Sequence, residues 1–181
     1  MDNLSGTALY RQAHNGRNPG GSTPLRHVLI GNGVAAIFAA EAIRNMDPAA
    51  SITMISDEEA PAYSRCLTPD LIAGHLPEER LWIRPPDFYE RLKIRGLFGC
   101  RVTQVDPDQQ VVTLSDGRAI PFDRLLVASG AAPVMPEIPG IRRPGVFGLR
   151  TLADARGIAA IAATARRAVV VGGGLVSLKA A

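Results

Sequence analysis

Two stretches of this chain repeat one pattern, an apolar run that enters a glycine turn and leaves it as a helix of small residues. They are HVLIGNGVAAIFAAEAIR at 27–44 and AVVVGGGLVSLKAA at 168–181. A glycine turn joining a buried strand to a helix is the first corner of a βαβ unit, so the pattern commits the chain to an α/β fold around a parallel sheet. In such a corner a dinucleotide pyrophosphate can meet a helix N-terminus. Two such units a domain's length apart point to two nucleotide sites. The second reaches the last residue, Ala181, so only the first site is expected to be complete.

Periodicity fills in the remainder. RHVLIG at 26–31 reads as a buried strand, AAIFAAEAIRNM at 35–46 as a helix ended by Asp47-Pro48, and SITMIS at 51–56 as a second strand that runs into the acids Asp57, Glu58 and Glu59. PPDFYERLKI at 85–94 predicts a short helix from about Asp87. Residues 99–130 supply alternating apolar runs with turns at Asp106-Pro107 and Asp116-Gly117, a β-meander that rejoins the main sheet through DRLLVAS at 123–129. After a proline-rich connector at 131–145, VFGLR at 146–150 reads as a short strand and LADARGIAAIAATAR at 152–166 as a helix leading into the second glycine strand. The expected division is a leader at 1–24, a first nucleotide-binding domain at 25–150 and the start of a second at 151–181.

Composition excludes several function classes. The net charge of +3 comes from 20 basic and 17 acidic residues, the basic ones scattered arginines without aromatic interleaving, which gives no support to nucleic-acid binding. The apolar stretches are all broken by Gly, Arg or Glu, so no membrane span is expected. The first 24 residues are rich in Gly, Asn, Ser and Pro and lack the apolar core of a secretory signal, and a cytoplasmic location is the expectation. Two cysteines without a Cys-x-x-Cys pair make neither a disulfide scaffold nor a zinc module, and His14, His27 and His75 have no metal-ligand spacing.

The first glycine unit carries the clearest chemistry. Gly31 permits the tight turn, Gly33 lets backbone approach a pyrophosphate, and Ala36 holds the third position, where a small side chain allows the helix to pack closely. The helix end presents free N–H groups and a positive dipole to phosphate. Asp57 or Glu58, at the end of the next strand, suits a ribose hydroxyl. The same residues also fit an ordinary strand-to-helix turn of an α/β protein.

Four segments in order, GNGVAA, PAYSRCLTPDLIAG, LLVASGAAP and VVVGGGLVSLKAA, make the resemblance specific. Residues 26–181 resemble the N-terminal part of the FAD-dependent pyridine nucleotide-disulfide oxidoreductases. VFGLRTLADA adds a likeness to the branch with the nitrite reductase flavin domain, rubredoxin reductase and ferredoxin reductases. The resemblance implies a Rossmann-like FAD-binding domain with a central parallel sheet and a β-meander, then the start of a second Rossmann-like domain for NAD(P)H. It implies that Gly31, Gly33 and Ala36 hold the FAD pyrophosphate, with Asp57 or Glu58 at the adenosine ribose and Arg65 near the pyrophosphate or flavin ring. Backbone at Val102 would meet adenine, and Ser129-Gly130 match the family's Ala-Thr-Gly where the chain passes the flavin. Gly172, Gly174 and Ser177 match the NAD(P)H turn, Ser177 replacing the usual third glycine and Lys179 a common glutamate.

Cys66 bears on mechanism. No Cys-x4-Cys pair exists, so the family's dithiol chemistry has no support, yet Cys66 stands about where single-cysteine NADH oxidases, peroxidases and coenzyme A-disulfide reductases carry theirs. A free cysteine more commonly packs as a small buried apolar residue, and that environment is favoured for Cys66. Cys100 is expected in a strand, as a structural residue. The function implied is the FAD-binding part of an NAD(P)H-dependent reductase that passes electrons to a small-molecule or protein acceptor. The alternatives are a non-catalytic FAD-binding or interaction module and a single-cysteine enzyme using Cys66. The last dozen residues are expected to be mobile or covered by a partner chain.

Overall fold

The computed structural model describes residues 23–180, and the leader expected over 1–24 lies outside them but for its last two residues. Strand β1 (Arg26–Ile30) leads through the first glycine turn into helix α1 (Val34–Met46) and strand β2 (Ser51–Ser56). A 3-10 turn at Arg65–Leu67 and short helices α2 (Thr68–Ile72) and α3 (Phe88–Arg91) precede strand β3 (Ile94–Phe98). The meander is β4 (Val102–Asp106), β5 (Val111–Leu114) and β6 (Ala119–Pro121), followed by β7 (Arg124–Val127) and the helices α4 (Leu152–Ala162) and α5 (Leu175–Ala180). Four strands form a parallel sheet in the order β3-β2-β1-β7, and β4-β5-β6 form an antiparallel sheet of their own.

The central strands read as unbroken apolar runs because both faces of the parallel sheet are covered. On one face Leu29, Ile52 and Met54 pack against Ala36, Ile37 and Ala40 of α1 and Phe88 of α3. On the other, Val28 and Ile55 meet Val112, Leu114 and Ile120 of the meander and Phe122 just beyond it. The fold is thus the Rossmann-like α/β arrangement with a β-meander that the sequence implied. Arg44 stitches the end of α1 to the sheet by donating to the carbonyls of Pro48 and Ala50 at 2.8 Å and of Leu92 at 3.0 Å.

Three local expectations are corrected. The helix at 87 stops at Arg91, the chain turns at Lys93 with φ +49°, and Ile94–Phe98 become β3, a strand hidden in the sequence by Arg95 and Gly96. VFGLR at 146–150 and Ala168–Val171 form no strand. A strand needs a hydrogen-bonding neighbour, and among the described residues neither segment has one. Val169 and Val171 accordingly stand more than four-fifths exposed. Finally, α4 ends at Ala162, short of the expected 166.

His27 lies buried within β1, and burial, against a partial pull from Asp47, holds its imidazole below the ordinary value. The folded chain therefore resists a proton that the unfolded chain accepts below about pH 6.5, so this group removes stability as pH falls through that range. His27→Gln is expected to flatten the pH dependence of the urea midpoint between about pH 7 and 5 relative to the wild type.

Candidate nucleotide-binding site

A cleft of about 680 Å³ opens at the C-terminal edge of β1, β2 and β7, where parallel α/β sheets bind ligands. Its floor is the first glycine turn. Gly31 has φ +118°, its N–H donates to Ile55 O at 2.7 Å, and a Cβ there would stand 2.2 Å from the Ala128 carbonyl oxygen. Glycine is required at Gly31 because the turn presses against the exit of β7.

Gly33 is glycine for a different reason. Its φ of −103° suits any residue, and a Cβ would meet nothing within 4 Å. It is the N-cap of α1, with no side-chain cap and no acid in the first turn. The first-turn N–H groups of a thirteen-residue helix thus face open cleft, which fits a phosphate. Ala36 is completely buried in the core, where its small side chain lets α1 lie close to the sheet; Ala35 is the residue on the cleft wall.

The two candidate acids separate. Asp57 is exposed on the rim and pairs with Arg101 at 3.4 Å. Glu58 is half-buried, and three groups donate to it: Arg65 Nη2 to Oε1 at 2.7 Å, Tyr63 OH to Oε2 at 2.6 Å, and Leu152 N–H to Oε2 at 3.3 Å. Burial alone would raise its pKa, but the bonds from Tyr63 and Arg65 win and hold the carboxyl below its usual range. Arg65 Nη1 also donates to the Arg150 carbonyl at 2.8 Å, and its guanidinium lies 4.8 Å from the centre of the Tyr63 ring. Arg65 is therefore a held residue of the cleft rather than a solvated loop arginine.

Val102, Ser129 and Gly130 line the same cleft, although they come from distant segments. Cys66 lies on the cleft wall in the 3-10 turn and is exposed, which overturns the favoured buried environment. Cys100 stands between β3 and β4, not in a strand, with its Sγ 3.0 Å from Arg118 Nη2. Asn32 and Tyr89 were missed in the sequence. Tyr89 OH donates to Asn32 Oδ1 at 2.8 Å and accepts from Ala62 N–H at 3.0 Å, and Asn32 donates to the Ala60 carbonyl at 3.2 Å, which pins the glycine turn from behind. Their only signal was a tyrosine inside an amphipathic segment, which pointed to the core.

Gly172, Gly174 and Ser177 lie outside the cleft, on an exposed turn and on α5. Gly172 has φ +119°, nearly the value at Gly31, so the turn repeats even though its strand does not form. Lys179 ties this second unit to the first, donating to the Cys66 carbonyl at 2.7 Å and to Asp70 at 3.0 Å. A second depression of about 760 Å³ is lined by connector residues between Met135 and Arg143 and gathers none of the motif residues. Among the described residues no cluster of His, Cys, Asp or Glu could hold a metal ion, and no helix is long and apolar enough to cross a membrane.

A parallel sheet whose glycine turn opens an uncapped helix end onto a cleft at its C-terminal edge defines a Rossmann-like α/β fold. The chain belongs to the pyridine nucleotide-disulphide oxidoreductase family, which matches residues 25–181. It is 33% identical over 156 residues to the epsilon subunit of NADH-dependent phenylglyoxylate dehydrogenase of Aromatoleum evansii, covering 86% of this chain and 37% of that protein. It is 35% identical over 158 residues to putidaredoxin reductase of Pseudomonas putida, covering 85% and 37%. Among solved structures, NADH:rubredoxin oxidoreductase from Clostridium acetobutylicum superposes with a TM-score of 0.78 at 27% identity, over 87% of this chain and 40% of that one. The chain thus spans less than half the length of these relatives.

Proposed function

We propose that the cleft binds FAD and that the chain is the FAD-binding part of an NAD(P)H-dependent oxidoreductase. One observation carries the reading: the open N-terminus of α1 shares a cleft with Glu58, Arg65 and Ser129-Gly130, residues the sequence keeps far apart. In this reading Gly31 makes the turn, Gly33 leaves room for the pyrophosphate to approach the backbone N–H groups of the first turn of α1, and Ala36 seats the helix behind them. Glu58 accepts from the adenosine ribose with the one Oε1 lone pair its three donors leave free, and Asp57 stays on the rim with Arg101. Arg65 offsets phosphate charge, and Val102 and Ser129-Gly130 bound the adenine and flavin ends.

When bound, FAD supplies the capacity to take a hydride from a nicotinamide and pass electrons on. The chain orients it and sets the charge around it. Gly172, Gly174 and Ser177 would begin the NAD(P)H site. The acceptor in this reading is a small molecule or a redox protein, and similarity to reductases named for putidaredoxin and rubredoxin supports the second. A second reading, in which Cys66 takes part as a lone redox thiol, is favoured by its exposure on the cleft wall.

The visible spectrum of the chain reconstituted with FAD tests the proposal. Flavin bands are expected, and their absence overturns it. Anaerobic NADH then divides the possibilities: bleaching supports a reductase, whereas a persistent spectrum supports a binding module. A long-wavelength charge-transfer band would mark a Cys66 thiolate against the flavin.

A further inference from the structure

Three hydrogen bonds meet at the phenol oxygen of Tyr63, a residue only 5% exposed. It donates to Glu58 Oε2 at 2.6 Å and accepts from Arg65 Nη1 at 2.5 Å and from Leu152 N–H at 2.8 Å. One donated and two accepted bonds exhaust a phenol's capacity, so the oxygen has no partner left for a ligand. Its ring packs with Leu81 and Leu152, and the Arg65 guanidinium lies 4.8 Å from the ring centre.

Leu152 is the first residue of α4, whose N-cap Thr151 exchanges a capping box with Asp154. The Leu152 N–H is an orphan donor of that helix end, and it finds Tyr63 and the Glu58 carboxylate. An anion at a helix N-terminus is stabilising, so Glu58 serves two structures, the cleft and α4. Tyr63 reinforces both roles, because its hydroxyl is bonded at once to the helix end, the acid and the arginine that also bond one another.

We propose that Tyr63 is a positioning residue for FAD: its hydroxyl, seated by the α4 N-terminus, aims Glu58 and Arg65 at the adenosine ribose and the pyrophosphate. This rests on the reading that the cleft takes FAD. The consequence is that the charge geometry of the first nucleotide site depends on the seating of the helix that leads toward the second glycine turn.

Tyr63→Phe separates positioning from packing. The ring remains against Leu81, Leu152 and Arg65, while Glu58 keeps Arg65 and the weaker Leu152 bond, so the variant should fold, as its melting curve will show. Its affinity for FAD at pH 7.5, measured by quenching of flavin fluorescence, is expected to fall about tenfold, the effect of losing a hydrogen bond to a charged group. The loss should grow toward pH 5.5. Without the phenol, burial is left less opposed and Glu58 takes a proton at higher pH, whereas the wild-type affinity stays flat over that range. Of the charged groups, Arg65 is hydrogen-bonded to Glu58; Asp57, Arg101, Arg150 and Asp154 line the same cleft, and Glu59 is the chain neighbour of Glu58. In a Glu58→Gln background the pH dependence should vanish and Tyr63→Phe should add less than it does alone.

Wild-type affinity in Tyr63→Phe overturns the inference. So does a loss that is independent of pH and additive with Glu58→Gln, which would be the mark of packing alone. Failure of the wild-type chain to bind FAD at all overturns the FAD reading, and the inference with it.

Discussion

Gly31→Val is expected to destabilise the fold itself, by at least about 3 kcal/mol. The new side chain would have to adopt φ +118° and place its Cβ 2.2 Å from the Ala128 carbonyl oxygen, where the obstacle is backbone at the end of β7 and not a side chain that can swing aside. Relief requires β1 and β7 to part, yet they are hydrogen-bonded neighbours from His27–Arg124 to Ile30–Val127. For a domain of this size the loss corresponds to a fall in melting temperature of roughly 6–12 °C. An unchanged melting temperature would show that the turn is not held against β7 as described.

Gly33→Val should do the reverse. Its backbone is ordinary and the space above it is open, so the substitution is expected to cost stability little, on the order of a few tenths to 1 kcal/mol for a poorer N-cap. The isopropyl group would instead occupy the volume in which the pyrophosphate approaches the first turn of α1. FAD affinity is expected to drop about a hundredfold, equivalent to about 2.7 kcal/mol. Isothermal titration beside a melting curve reads both quantities. Two glycines two residues apart would then fail in different ways, one by unfolding and one by losing its ligand. Equal FAD affinity in Gly33→Val and wild type would move the phosphate away from α1.

Much of the fold was legible because its signals are local. The strands β1 and β2 are buried on both faces and so are written as apolar runs, and α1 has small residues on the face it turns to the sheet. The meander declared itself through alternation and two turns. β3 did not, because an edge strand with Arg95 and Gly96 at its centre has no periodic signature and takes its conformation from β2 beside it. VFGLR and Ala168–Val171 show the converse error: apolar composition alone does not make a strand when no neighbour accepts its hydrogen bonds.

At the site, residue types and spacing pointed to Gly31, Gly33 and the acids after β2, the family resemblance added Arg65 and Ser129-Gly130, and the structure brings all of them to one cleft. Residue types and spacing were not enough to choose between Asp57 and Glu58 or to place Cys66. Adjacent residues at the end of a strand diverge, and only the packing of α4 and the arrival of Tyr63 leave Glu58 half-buried with three donors while Asp57 faces solvent. Cys66 is of a residue type that commonly packs in a core but sits exposed at the cleft wall, in a 3-10 turn whose Leu67 packs inward instead.

By itself, then, the sequence determined a parallel α/β chain with a tight glycine turn between its first strand and helix, because strand periodicity and the steric demands of glycine act over a few residues. Only the tertiary structure decided which carboxylate is half-buried and held by three donors, where the arginine is held and that one phenol joins them to α4. Those outcomes depend on groups separated by up to 94 positions in the chain, from Glu58 to Leu152, meeting at hydrogen-bond distance.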